Sequence, residues 1–298
     1  MRTSRWFFLL ALVCLLSFSL ALSEENVLRF GSMTFDPASE SIDLEDETVT
    51  DWDRFYSFLS SFEHLTHVDM FSTPVRSNRI QEMETRFPGI EFGWTINFRE
   101  HLVRTDATAF STLHYDDSPA HPTEEISLLR YCKQLRAVDF GHNSVDDLSF
   151  LRELPELRIL IFACNRVRDI SPLADLEHLE YLEMFTNYVD DLTPLASLTN
   201  LIDLNLCLNN AADLTPLKGL TNLERLWISE RTRNGEWTYT QAQIQELKDA
   251  IPGLEVVMPP NPTAKGWRSH TRYNQMHEIF QTGEYVPFQK PAIVVTVP

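Results

Sequence analysis

Three groups of residues in this 298-residue sequence carry side chains able to do chemistry. The first is a cluster of two histidines and two aspartates, His114, Asp116, Asp117 and His121. Imidazole nitrogens and carboxylate oxygens ligate many divalent metals, but this spacing fits no metal motif, so a polar loop is expected and no metal is assigned. The second is His270, His277 and Glu278, side chains suited to moving protons. Neither a G-x-S-x-G nor an H-E-x-x-H motif accompanies them, so no catalytic residue, no cofactor and no enzymatic activity is expected. The third is an acidic ladder, Asp147, Asp169, Asp191 and Asp213, with a step of 22 residues. Calcium needs six to eight converging oxygens, whereas a ladder lies along one ridge. A local capping role is the expectation.

The ladder's step is the period of the whole central region. Leu135, Leu157, Leu179, Leu201 and Leu223 share it, as do Val138, Leu160, Leu182, Leu204 and Leu226. Phe140, Phe162, Met184, Leu206 and Ile228 form a third column, and Asn143, Asn165, Asn187 and Asn209 follow it three residues later. An apolar pattern alternating at its end suits a short strand with one buried face. Stacked units then align such strands in parallel over a continuous leucine core. The asparagines are assigned a structural role, satisfying backbone groups left unpaired where the chain turns out of each strand. Ser171-Pro172, Thr193-Pro194 and Thr215-Pro216 mark a short helical turn on the convex side, with the hydroxyl as cap and proline at the first helical position.

The segment Leu179-Glu-Tyr-Leu182-Glu-Met184-Phe-Thr-Asn187-Tyr-Val189-Asp-Asp-Leu192-Thr-Pro194-Leu195 resembles the 22-residue leucine-rich repeat of bacterial internalin-like proteins. The resemblance covers about residues 129–232. It implies an α/β fold, a right-handed leucine-rich-repeat solenoid whose concave parallel sheet binds another protein. The residues flanking the buried strand positions are then the candidate binding face: Phe71, Arg158, Ile161, Tyr181, Glu183, Phe185, Asp203, Leu208, Arg225 and Trp227. Aromatics with arginine neighbours are the composition of interface hot spots. The alternative is that the tail or an insertion covers them.

Both ends of the array carry a longer module. Ile80-Gln81-Glu82-Met83 leads to Phe87-Pro88-Gly89-Ile90-Glu91, and Ile244-Gln245-Glu246-Leu247 leads to Ile251-Pro252-Gly253-Leu254-Glu255 at a constant offset of 164. Each reads as an amphipathic helix, a Pro-Gly stop and a strand, which gives helix-containing flanking repeats. Thr240 with Gln243 forms a capping box for the second helix. Phe62, Leu65, Val68 and Met70 match the repeat columns in the first module, while Thr73 and Arg231 break the asparagine column. The expected organisation is 24–98 as an N-terminal cap, 99–128 as an insertion, 129–232 as repeats and 233–258 as a helix-strand cap. The tail, 259–298, holds the basic-aromatic run Gly266-Trp267-Arg268-Ser269-His270-Thr271-Arg272-Tyr273 and is expected to fold back on the solenoid.

The first 23 residues read as a signal peptide: Arg2 and Arg5, an apolar run from Trp6 to Leu22, and small-residue cleavage sites after Ala21 and Ser23. A secreted or cell-surface protein is expected, with an uncleaved N-terminal anchor as the alternative and no membrane insertion of the mature chain. Removing that segment and its two arginines takes the formal net charge from −18 to −20, which argues against nucleic acid and anionic lipid as partners. Cys132, Cys164 and Cys207 remain, an odd and sparse set read as free thiols rather than a disulfide framework. The expected function is protein–protein interaction through the concave face. A carbohydrate- or cell-wall-binding module and a structural envelope protein are the alternatives.

Overall fold

The computed structural model describes residues 27–98, 101–112, 120–236, 239–259 and 264–288. The signal peptide expected at 1–23 lies outside them, as do His114, Asp116 and Asp117. The chain divides into two compact units, residues 1–95 and 96–298.

In the first unit, β1 (Leu28–Phe30) and β2 (Met33–Phe35) form an antiparallel hairpin, and β3 (Ser41–Asp43) pairs in parallel with β4 (His67–Val75), Ile42 opposite Val68. Helix α1 (Trp52–Leu59) starts on Asp51, whose carboxylate accepts the Arg54 N–H, and buries Phe55, Tyr56, Phe58 and Leu59. Phe30 and Phe58 pack in this core with tilted rings, their centres 5.1 Å apart. Helix α2 (Ser77–Arg86) buries Ile80 and Met83 and leads into β5 (Glu91–Phe98), which runs on into the second unit. Val68 and Met70 are fully buried, as their match to the repeat columns requires. Phe71 sits on β4 with its ring against Gly93, where an added Cβ would come within 2.5 Å of it. Only glycine permits that approach.

The second unit is the solenoid. Strand β6 (His101–Arg104) ends the sheet containing β5, and a separate seven-stranded sheet follows. Its strands are β7 (Ala109–Ser111), β8 (Ala137–Asp139), β9 (Ile159–Ile161), β10 (Tyr181–Glu183), β11 (Asp203–Asn205), β12 (Arg225–Trp227) and β13 (Glu255–Val257), paired in that order. Every pairing in it is parallel and in register, so Phe110, Val138, Leu160, Leu182, Leu204, Leu226 and Val256 form one inward row. A short helix, α3 (Thr123–Ile126), and 3₁₀ turns at Ser127–Tyr131, Ser149–Glu153, Ser171–Leu173, Thr193–Leu195 and Thr215–Gly219 line the convex side. Helix α4 (Gln241–Ala250) and β13 end the array, and α5 (Ala264–Trp267) and α6 (Thr271–Thr282) follow.

The asparagine column holds adjacent coils together. Asn187 is fully buried. Its Oδ1 accepts the Val167 N–H at 3.0 Å, while its Nδ2 donates to the carbonyls of Phe162 and Met184 at 3.0 and 3.1 Å. Asn165 and Asn209 repeat this pattern, and half-buried Asn143 accepts from His121 N–H. In each unit the residue just before the asparagine is left-handed: His142, Cys164, Thr186 and Leu208 have φ between 53° and 59°. The first three donate their amides to Ala163, Phe185 and Cys207 carbonyls in the next coil. These four residue types share no property that would have predicted it.

Several expectations change. Residues 109–111, placed in an insertion, form β7 and lie 28 residues before their partners in β8. The period lengthens there through its loop while the strand keeps its buried phenylalanine. The hydroxyl expected as the cap of each 3₁₀ turn is not the cap; the aspartate ladder takes the local capping role expected of it. Asp169 Oδ1 accepts Ser171 N–H at 2.8 Å and its Oδ2 accepts the Ser171 hydroxyl; Asp147, Asp191 and Asp213 make the same backbone contact. A carboxylate two residues upstream reaches an N–H that the neighbouring hydroxyl cannot. All three described cysteines are free.

Candidate functional site

The two rows of side chains that β7–β13 turn away from the leucine core form the concave face. By register, one row runs Ala109, Ala137, Ile159, Tyr181, Asp203, Arg225 and Glu255. The other runs Ser111, Asp139, Ile161, Glu183, Asn205, Trp227 and Val257. Small and aliphatic groups with one carboxylate, Asp139, occupy the β7–β9 end, and aromatic and charged groups the β10–β12 end.

This face is not open. Every residue of β7 to β12 is buried on both sides of the sheet, because Trp267, Met276 and Ile279 of α5 and α6 pack into one cluster with Ile159, Ile161, Tyr181, Phe185 and Trp227. The centre of the contact is Trp267, with no exposed surface. Its ring lies 5.5 Å from that of Tyr181 and 5.7 Å from that of Trp227. Its indole N–H donates to the Tyr181 hydroxyl and, at 2.9 Å, to Glu183 Oε2, which also accepts the Tyr181 hydroxyl at 3.0 Å. The Arg225 guanidinium covers the indole face at 3.7 Å and donates to the Trp267 carbonyl at 3.2 Å.

A second set of contacts is ionic. Asp203 is fully buried between Arg225 Nε at 3.0 Å and Arg272 Nε at 3.2 Å. Arg272 also pairs with Glu224, and Arg268 lies 3.8 Å from Glu183. Burial pushes the Glu183 carboxyl above its ordinary range, with Arg268, Tyr181 and Trp267 acting against the shift. Asp139 is pushed up to about 7 by burial, and its Oδ1 accepts Gly141 N–H at 2.9 Å. Tyr181 is pushed well above its normal value by burial and by Glu183. An uncompensated carboxylate in such a site is costly, so the tail arginines are part of what makes the acidic rows tolerable.

Of the ten residues assigned to a concave binding face, Ile161, Tyr181, Glu183, Phe185, Asp203, Arg225 and Trp227 are buried together here. The tail covers them, which is the alternative to an open binding face. Arg158 is half-buried and pairs with Glu180 at 2.6 Å, and Leu208 is a half-buried left-handed residue whose amide donates to the Ser229 hydroxyl. Phe71 belongs to the sheet of β4 rather than to this one. The sequence columns match because both places bury alternate strand residues, and columns alone do not say which sheet a strand joins. The residues that the assignment lacked are those on the other side of the contact, Trp267, Arg268, Arg272, Met276 and Ile279. The sequence signal for Trp267, Arg268 and Arg272 is the basic-aromatic run, and Met276 and Ile279 lie beyond it.

His121 is buried with Nδ1 2.7 Å from Glu125 Oε2, and His114, Asp116 and Asp117 lie outside the described residues. His270 Nδ1 accepts Arg272 N–H at 3.3 Å as the cap of α6, while His277 and Glu278 on that helix are exposed. Among the described residues no group of three or more His, Cys, Asp or Glu side chains is placed to hold a metal ion, and no helix is long and apolar enough to cross a membrane.

Residues 155–197 match the leucine-rich-repeat family as two copies of the repeat. None of the curated proteins matches the sequence. Among solved structures, the chain is similar to an internalin (inlF) of Listeria monocytogenes, at 22% identity and a TM-score of 0.45, over 69% of this chain and 51% of that one. It is also similar to internalin C2 of the same organism, at 19% identity and a TM-score of 0.42, over 76% of this chain and 85% of that one. A leucine-rich-repeat protein of Leptospira interrogans matches at 16% identity and a TM-score of 0.44, over 67% and 50%. The chain spans about half the length of the first and third of these.

Proposed function

We propose that this internalin-like leucine-rich-repeat solenoid is an exported protein-binding module that takes up an α-helical, basic-aromatic polypeptide segment on its concave face. Its own residues 264–288 occupy that place in the structure. The role is binding rather than catalysis. The observation that carries the reading is the seat of Trp267: an indole N–H shared by Tyr181 and Glu183 beneath an Arg225 guanidinium. Such a seat combines an aromatic anchor with desolvated polar partners, the composition of a binding hot spot. A leucine-rich-repeat fold commonly serves protein–protein contact, which agrees with the reading, but the fold alone does not select a ligand.

The test uses the full chain with its tail contact weakened, as the Trp267→Ala/Arg272→Ala protein, and a fluorescent peptide of residues 264–288. The peptide should bind this variant, bind wild type at least tenfold more weakly, and lose binding when its own tryptophan is replaced by alanine. A peptide that binds neither protein, or binds both equally, would refute a concave face built to receive such a segment.

A further inference from the structure

The docked tail brings two cations to three carboxylates. Asp139, Glu183 and Asp203 all belong to the concave rows of the sheet and are buried. Arg272 meets Asp203, and Arg268 faces Glu183, which also accepts the Tyr181 hydroxyl and the Trp267 N–H. Asp139 is left over. Among the described residues it makes no ion pair. Its Oδ1 accepts Gly141 N–H at 2.9 Å, and the Ser111 hydroxyl of β7 also bonds it. From β10, Glu183 adds a like charge, while the tail offers only the charge of Arg268 at a distance and the phenol of Tyr273.

What covers Asp139 is that tail. Helix α6 packs on β7 and β8, and its Met276 and Ile279 close over Ala109 and Ala137, which precede Ser111 and Asp139 on the same face. A carboxylate desolvated without a cation is costly, and the cost disappears when it takes a proton or when the cover lifts. The two events are therefore linked. Burial pushes Asp139 up to about 7, with Gly141, Arg268 and Ser111 opposing the shift and Glu183 adding to it. Burial raises Glu183 in the same sense. His270, the cap of α6, acts the other way: burial, with Arg225 and Arg272, holds it below its ordinary 6.5.

We propose that α5 and α6 form a proton-dependent latch, lying over a neutral Asp139 in acid and losing their hold on the concave face as pH rises through neutrality. A group whose pKa is raised by docking favours the docked state in acid and withdraws that help as pH rises through its docked value. With Asp139 at about 7 beneath the tail and at its ordinary 3.8 in water, docking weakens about tenfold between pH 6 and pH 8 on this group alone. The consequence for a ligand rests on the function proposed above. Above neutral pH, a ligand gains over the tail by bringing Asp139 the cation that the tail lacks, or by leaving it in water.

Trypsin cleavage after Arg268 and Arg272, compared between the full wild-type chain and Asp139→Asn at each pH, tests the latch. Taking the ratio of the two proteins cancels both the protease's own pH dependence and the titration of His270. The ratio should rise about tenfold from pH 6 to pH 8, while the ratio at Arg168, inside the repeats, stays constant. A ratio at the tail that does not change with pH overturns the proposal. A parallel rise at Arg168 also overturns it, in favour of opening of the whole solenoid. Asp139→Ser supplies a second neutral replacement if the asparagine protein fails to fold. No added peptide enters this assay, so its outcome is separate from whether a free segment binds the concave face.

Discussion

Replacing Trp267 by alanine should release the C-terminal helices from the concave face without unfolding the repeats. A buried tryptophan removes up to about 250 Å² from water, worth roughly 6 kcal/mol at ~25 cal/mol per Å² as an upper bound. Large-to-alanine changes at such sites cost about 3–5 kcal/mol in practice. Trp267 has no exposed surface and touches both Tyr181 and Trp227, so this site sits at the full-burial end of that range. The Tyr181 hydroxyl keeps its bond to Glu183, which limits the additional polar loss. Because α5 and α6 are a terminal segment, the loss should fall on their docking equilibrium first. Trypsin reads that equilibrium, since the bonds after Arg268 and Arg272 are cleavable only when the segment is open. When opening is fast, cleavage follows the open population. A loss of about 3 kcal/mol at ~1.4 kcal/mol per decade means cleavage faster by about a hundredfold. Hydrogen exchange at β10 and β11 should remain as in wild type, which confines the change to the tail. Unchanged cleavage after Arg268 and Arg272 would refute the claim that the Trp267 seat holds the tail.

Three further outcomes follow from the same geometry. Asn187→Ala orphans the Val167 N–H and the Phe162 and Met184 carbonyls inside the coil stack; at ~1–3 kcal/mol for each buried group left unpaired, the unfolding free energy measured by chemical denaturation should fall by several kcal/mol, and by less for half-buried Asn143→Ala. Asp139 has a folded pKa of about 7, above its ordinary value of 3.8. Protons therefore bind more tightly in the folded state, its contribution is most favourable below about pH 4, and stability is lost as pH rises towards 7. Asp139→Asn should flatten the stability profile over that interval, as followed by thermal melts from pH 4 to 8. Asp191 and Asp213 are lowered by Thr193 and Thr215, so they act in the opposite sense. Their help is present above the ordinary carboxylate range and lost as pH falls through it, and Asp213→Asn should lower stability at pH 7 but leave it unchanged at pH 2–3.

What the sequence made legible is whatever repeats or is local. The leucine columns became the inward row from Val138 to Leu226, and the asparagine column became the inter-coil ladder, because one residue type answers one backbone need in each coil. The Thr240–Gln243 capping box is present with both bonds. The cap template is also real in detail: Phe87 donates to the Met83 carbonyl as Ile251 does to Leu247, and Ile90 to Phe87 as Leu254 does to Ile251. Long-range partnership was not legible. Trp267 meets Tyr181 across 86 positions and Arg272 meets Glu224 across 48, and no period links them. The left-handed residues before each asparagine were equally hidden, since histidine, cysteine, threonine and leucine adopt that conformation only because the next coil accepts their amides.

The acidic character of the concave rows then decides what could replace the tail. Asp139, Glu183 and Asp203 all face the concave side of the sheet and are buried beneath the tail. Exposed to water they would form a negative patch on a chain already at −18, and covered by an apolar ligand they would be desolvated without compensation. The tail resolves both problems by bringing Arg268 and Arg272 to within 3.8 and 3.2 Å of two of them while Trp267 fills the aromatic end. A ligand on the same face must therefore present guanidinium groups beside a large aromatic, and on a helix if it is to keep their spacing. A helical peptide that retains the tryptophan but has both arginines changed to glutamine should compete for the face far less well than the parent segment, and the deficit should persist at salt concentrations that screen surface charge, because the paired carboxylates are buried.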